Sequence, residues 1–406
     1  MTHHRFMAPS PLKQIEPLRP REPCSSLAPS QVAPQQRAHP VKLTRRAVLE
    51  ASAALAVGAA VNGCSFQSDL AALDDQPSAT NERGEEPMDE FSFLVDHATR
   101  AANNHNTQSW RFRREAQGVT ILTDMARATP VVDPHNRHLF ASLGCAAENL
   151  RVAATHKGKA SEIRGVGEGD AFHVAIELGA QGSAAADPLF KAIRKRQSTR
   201  SLYDSRPVPA ADLAALKSSV EACGCDLHLI EDPRQKERFL EIAVPASNTQ
   251  ISDPAFKKEL KQWLRFSTDY AQKMGDGLFS ACSGNPRMPE FAGGWMFELF
   301  YKPDAEAEKL TAQVRSSAGL AIILSRSDSA AAHMTVGRAY QRLALRATTL
   351  GIKNALINQA IEVESAKQEL ANWLKVPAYR PALIVRYGYA EALPYSYRRP
   401  LAEVVV

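Results

Sequence analysis

The chain has 406 residues, 44% hydrophobic and 23% charged, which suits a globular protein with length for about two domains. Its net charge of +5 resides in the first 63 residues, where eight Lys/Arg face three Asp/Glu, leaving 41 of each sign over residues 64–406. A body so balanced lacks the clustered Lys/Arg surplus of a nucleic-acid-binding face, and that class is set aside.

Residues 1–40 are Pro-rich and aperiodic and are predicted to be disordered. Residues 41–64 form a targeting segment: Arg45 and Arg46 precede the weakly apolar run Ala51–Val61, too short for a bilayer that needs roughly 20 residues. The pattern TRRAVL is similar to a twin-arginine signal, and VNGC to a lipobox that would make Cys64 the lipidated first residue of the mature chain. If its codon is GTG, Val41 is the true start. The expected partners are the export machinery and, through Cys64, a membrane; the expected location is periplasmic or membrane-anchored. Because the twin-arginine route carries folded proteins, a cofactor loaded before export is the first thing to look for. Residues 65–88 are polar and acidic and read as a linker, with the folded body starting near Asp89.

The stretch NNHNTQSWRF, 103–112, sets Asn106, Gln108 and Trp110 on alternate positions. Alternation predicts an extended segment with three side chains on one face. Asn is depleted in strands, so the competing reading is a turn leading into strands at RFRRE and GVTILTD. His135-x-x-His138 is read as a helix start and Cys223-Gly-Cys225 as packing; no metal site is expected.

GCAAENLRVAATHKG (144–158) and GRAYQRLALRATTLG (337–351) agree at Gly144/Gly337, Ala146/Ala339, Leu150/Leu343, Ala154/Ala347, Thr155/Thr348 and Gly158/Gly351, a single offset of 193. Both have apolar residues at helical spacing and end on a glycine suited to a left-handed cap. Strand-like runs follow at FHVAIELG (172–179) and PALIVRYG (381–388). The offset is too long for a solenoid and fits a duplicated α+β domain, a pseudo-dimer in one monomeric chain. Its halves are 89–184 and 185–406, packed through the matched helices at 139–157 and 334–350.

RKRQSTRSLY, 194–203, follows an expected helical run from Asp187 to Lys195 and alternates Arg196, Ser198 and Arg200. Forked guanidiniums match phosphate oxygens, so these residues form a candidate cradle; the competing reading is a solvated basic helix end. Arg398 and Arg399, in PYSYRRPLAEVV, are a further anion contact. Residues 266–300, Gly-rich with Phe279, Phe291, Trp295 and Phe297, read as a lid insertion or as a helical hairpin completing the core.

Three of these segments together resemble the flavin-binding signature of the nitroreductase family. They are Asn106-Thr107-Gln108-Ser109-Trp110, Arg196-Gln197-Ser198-Thr199-Arg200 and Ser396-Tyr397-Arg398-Arg399-Pro400. The order and the helix pattern are similar to the Acg-like tandem branch, over residues 89–406. The resemblance implies a tandem nitroreductase-like fold of two α/β sandwich halves. It also implies one FMN per chain, with Arg196, Ser198 and Arg200 at its phosphate and ribityl chain and Asn106, Gln108 and Trp110 beside its ring. The implied function is two-electron reduction of a small aromatic or quinone-like acceptor; the alternative is an FMN-sequestering protein without turnover. Ser109 stands where the family has Pro, loosening the loop, and Ser396 where it has Lys, removing a cation.

Overall fold

The computed structural model describes residues 88–406. The readings made on residues 1–87, including the signal and Cys64, lie outside the described residues.

The first helix, α1 (Glu90–Thr99), starts where the Asp89 carboxylate accepts the Ser92 N–H at 2.8 Å, an N-cap that satisfies one of the orphan donors of the first turn. After a loop come β1 (Trp110–Glu115) and β2 (Gly118–Thr123), the strands expected from RFRRE and GVTILTD. A long helix, α2 (Arg137–His156), then leads to β3 (Ser161–Val166) and β4 (His173–Leu178). His138 does stand at the start of α2, where the Asp133 carboxylate accepts the N–H groups of His138 and Leu139 at 2.9 and 3.0 Å.

The second series opens with α3 (Ala210–Glu221) and β5 (Asp226–Ile230). Five helices and two short strands follow: α4 (Pro233–Ser252), α5 (Pro254–Gln262), β6 (Leu264–Arg265), α6 (Thr268–Met274), β7 (Leu278–Phe279), α7 (Glu290–Phe300) and α8 (Pro303–Ser316). Next are β8 (Gly319–Ser325), α9 (Ala330–Thr349), β9 (Lys353–Leu356), α10 (Gln359–Glu362), α11 (Glu364–Leu374), β10 (Arg380–Gly388) and α12 (Leu401–Val404).

The strands form two antiparallel four-stranded sheets, ordered β1-β2-β4-β3 and β5-β8-β10-β9. The order is the same in both, and in both a 20-residue helix runs between the second and third strands in sequence. Those helices, α2 and α9, pack against each other at their glycines. A Cβ on Gly144 would stand 1.9 Å from the Met334 carbonyl oxygen, and one on Gly337 would stand 1.8 Å from that of Ala141. Met334 and Ala141 are themselves related by the offset of 193, so the contact is reciprocal, as at a two-fold interface. Only glycine lets two helix backbones come so close.

The interface also holds charge. Glu148, fully buried, accepts from Arg151 at 2.8 Å, Arg342 at 3.0 Å and Arg338 at 3.3 Å, and Asp187 accepts from Arg151 and Arg342 at 2.8 and 2.9 Å. These bonds explain a departure from expectation. The segment 187–195 is a short three-ten turn at Phe190–Ala192 and not a helix. Asp187 is held by two arginines and by the Leu189 N–H at 3.0 Å, while Leu189 and Ile193 anchor in an apolar cluster with Val152 and Leu345.

The end of the chain crosses to the first sheet. The Val406 N–H donates to the Phe112 carbonyl at 3.0 Å, and Val404 is fully buried. This crossing carries residues 389–400, which are irregular, past the loop that precedes β1.

Candidate functional site

The loop before β1 is not extended. Asn104–Asn106 form a three-ten turn, and His105, Asn106 and Gln108 have φ of 45°, 54° and 53°, in the left-handed region. Asn and His enter that region more readily than most residues, whereas Gln seldom does, and such strain persists only where the surroundings hold it. Here the Gln108 N–H is held by Asn103 Oδ1 at 2.9 Å and the Thr107 N–H by the Asn104 carbonyl at 2.8 Å. The expected single face for Asn106, Gln108 and Trp110 is therefore corrected: local side-chain and turn bonds override alternation, and β1 starts only at Trp110.

The two amides bind protein. Asn106 Nδ2 donates to the carbonyls of Gly277 at 3.0 Å and Tyr397 at 3.1 Å, and its Oδ1 accepts from Arg398 Nη1 at 2.7 Å. Gln108 Nε2 donates to the Gly275 carbonyl at 2.8 Å, and its Oε1 accepts the Arg399 N–H at 3.0 Å. They join the loop to the 264–300 segment on one side and to the C-terminal tail on the other. Trp110 is fully buried with its indole N–H unpartnered, its ring 6.3 Å from that of Phe112.

Arg196, Ser198 and Arg200 each act on one buried side chain. All three neighbour the buried Tyr340 phenol: burial pushes its pKa up, while Arg196, the Ser198 hydroxyl and Arg200 pull the other way. Arg196 Nη2 donates to the Arg100 carbonyl at 3.1 Å, and its Nε–H is buried without a partner. Arg398 grips the same end of α1, donating from Nε to the Thr99 carbonyl at 2.8 Å. Burial, then Arg196 and Arg100 close by, hold the Arg398 guanidinium down to about 9. Burial also lowers Arg200, against the partial support of Cys282, Tyr340 and Tyr203. Arg399 turns the other way, toward Glu403 at 3.4 Å and Asp124 at 3.8 Å.

Three residues that matter here escaped the motif reading. Arg386, fully buried in β10, donates to the carbonyls of Thr199 at 3.2 Å and Ser201 at 2.9 Å, and lies 4.1 Å from the Tyr203 ring centroid. It holds the cradle segment in place, and its Nε and Nη1 have no partners. One charged residue inside the apolar run PALIVRYG was the visible signal. Tyr340 and His105 had none, because their roles depend on distant packing. Burial lowers the His105 imidazole to about 4.

Among the described residues, Arg196, Arg200, Arg386 and Arg398 have no carboxylate partner, and neither has Arg346, whose Nε is also buried unpartnered, whereas the buried Arg265 and Arg399 are paired. An uncompensated buried charge is costly, so such a group suits an anion with forked acceptors. Orphaned N–H groups on Arg196 and Arg386 fit that purpose. Among the described residues no cluster of three or more His, Cys, Asp or Glu could hold a metal ion.

No family model matches the chain. It is 25% identical over 316 residues to a Mycobacterium tuberculosis protein named "Putative NAD(P)H nitroreductase", covering 76% of this chain and 88% of that protein. It is 22% identical over 333 residues to "Putative NAD(P)H nitroreductase acg" of the same species, covering 78% and 95%. Among solved structures, the FMN-dependent nitroreductase NfnB of Mycobacterium smegmatis in complex with NADPH aligns with a TM-score of 0.36 at 15% identity, over 52% of this chain and 94% of that one. A nitroreductase with bound FMN from Desulfitobacterium hafniense aligns at 0.34 and 15%, over 54% and 98%. Over about three quarters of its length the chain is similar in sequence to these two mycobacterial proteins, both named as nitroreductases.

Proposed function

We propose that the chain is an FMN-dependent oxidoreductase of the nitroreductase type, reducing a small aromatic or quinone-like acceptor by two electrons. The observation that carries this reading is the set of arginines without carboxylates, Arg196, Arg200, Arg386 and Arg398, placed around the segments that resemble the flavin signature. FMN, when bound, supplies the hydride chemistry. The chain binds its phosphate through Arg196, Ser198, Arg200 and Arg398, and orients that set through Arg386. Asn106 and Gln108 fasten the loop and the 264–300 segment around the site, which excludes water.

In this reading the two sheets are the halves of a tandem duplication, 89–184 and 185–406, and the chain is a monomeric pseudo-dimer. The common strand order and the reciprocal glycine contact support it. Residues 41–64 act as a twin-arginine export signal, with Cys64 as the lipid attachment point.

The test is the absorbance spectrum of the purified protein, with and without reductant. A flavin band that bleaches, followed by steady turnover of a nitroaromatic or quinone, is expected. A colourless protein that takes up no FMN refutes the cofactor. Tight FMN without turnover with any donor would select the sequestering alternative.

A further inference from the structure

The 11-residue helix α7 turns an apolar stripe outward. Phe291, Trp295 and Leu299 recur every fourth residue and, with Phe300, are 83, 65, 47 and 54% exposed. Singly scattered apolar side chains are ordinary at a surface, but four on one short helix are not.

The opposite side is firmly seated, so the helix cannot roll to hide the stripe. Gly293 is buried, and a Cβ there would come within 2.1 Å of the Phe266 side chain. Phe297 stacks on Tyr301 with centroids 4.6 Å apart, against the cluster of Val132, Ile251, Phe256 and Leu260. Glu290 accepts the N–H groups of Phe266 and Ser267 at 2.7 and 2.8 Å.

Three lysines gather beside the stripe, around the Glu298 carboxylate. Lys261 Nζ lies 2.8 Å from Glu298 Oε1, Lys302 Nζ donates to the Glu298 carbonyl at 3.1 Å, and Lys257 stands close enough to stabilise the same carboxylate. Arg287, exposed, lies four residues before Phe291. No described helix is long and apolar enough to cross a membrane. A short helix with outward Phe, Trp and Leu and lysines beside them has the make-up of an element that lies in a bilayer interface.

We propose that α7 docks the folded body on an anionic lipid surface, with Phe291, Trp295 and Leu299 entering the boundary between headgroups and acyl chains. Lys257, Lys261 and Lys302 meet the lipid phosphates. The docking does not rest on the flavin reading. If both hold, the segment that docks is the one fastened to Asn106 and Gln108 through Gly275 and Gly277, and a lipid-soluble acceptor would reach the site from the membrane.

The experiment uses the full chain carrying Cys64→Ala, so that no lipid anchor contributes, with phosphatidylglycerol–phosphatidylcholine vesicles. The protein should float with the vesicles, and its tryptophan emission should shift to the blue and be quenched by lipids brominated on the acyl chains. Trp295→Phe should abolish the shift and quenching, since Trp110 is buried and Trp263 and Trp373 are half-buried. Phe291→Ser with Leu299→Ser, both on the exposed face, should lower vesicle affinity roughly tenfold or more. Flotation without quenching at Trp295, or unchanged in the double variant, would mean that the N-terminal segment alone binds lipid and would overturn the proposal. So would absence of flotation, whether the chain stays monomeric or self-associates through this face.

Discussion

Replacing Arg196 and Arg200 together by alanine distinguishes a phosphate cradle from a packing feature, because the two readings move different quantities. In the folded chain, Arg196 gives one hydrogen bond, to the Arg100 carbonyl at 3.1 Å, and its Nε–H gives none. Neither guanidinium has a carboxylate partner among the described residues. Their loss therefore costs the apoprotein about 1 kcal/mol of hydrogen bonding, partly offset by relief of the repulsion that Arg196 exerts on Arg398. The apoprotein Tm should move by no more than about 5 °C. FMN affinity is another matter. Two charge-assisted bonds to a phosphate contribute about 3–6 kcal/mol together, so the dissociation constant should rise by roughly two to four orders of magnitude. Fluorescence-quenching titration of FMN into apoprotein gives the affinity, and a thermal melt of the same samples gives the stability. Equal FMN affinity in wild type and variant would refute the cradle. A melt that collapses while the folded fraction binds FMN as before would make both arginines structural.

Gly144→Ala and Gly337→Ala each push a methyl group against a carbonyl less than 2 Å away, so each should cost at least about 2–3 kcal/mol; an unchanged urea midpoint would contradict the helix crossing. The buried His138–Glu362 pair, 3.1 Å apart, should stabilise the fold in a pH-dependent way. Burial alone would lower His138, but the Glu362 hydrogen bond and the Asp133 carboxylate outweigh it and raise its pKa. A raised histidine contributes fully below its unfolded value of about 6.5 and loses that contribution as pH rises through the folded value. Wild type should thus exceed His138→Gln in Tm by more at about pH 5.5 than at about pH 8.5, and a gap that widens with pH would refute the pairing. Changing Arg45 and Arg46 together to Lys should leave the protein in the cytoplasm by cell fractionation; normal export of that variant would sink the signal reading.

Much of the scaffold was legible because it depends on neighbours in sequence. Strand-like runs became β1, β2, β4 and β10, and period 3.6 with a closing glycine marked α2 and α9. The matched helices were expected to pack on each other, and the close approach at Gly144 and Gly337 is how they do so. The 187–195 segment failed because Asp187 answers to arginines on α2 and α9, which no local propensity contains.

The sequence by itself determined which residue types were available for an anion: paired arginines around a serine, and a further pair near the end. Tertiary structure decided which of them are used. Arg398 joins Arg196 because the tail crosses to β1, whereas Arg399, one residue on, turns to Asp124 and Glu403. Arg386 enters only because β10 lies under the cradle segment and aims its guanidinium at the Thr199 and Ser201 carbonyls. Asn106 and Gln108 were marked by spacing, but their amides are bound by Gly277, Tyr397, Gly275 and Arg399, which are distant in sequence. Side-chain identity is local, while burial and the absence of a counter-charge are properties of the packed chain. The charge a site leaves unpaired therefore becomes readable only after folding.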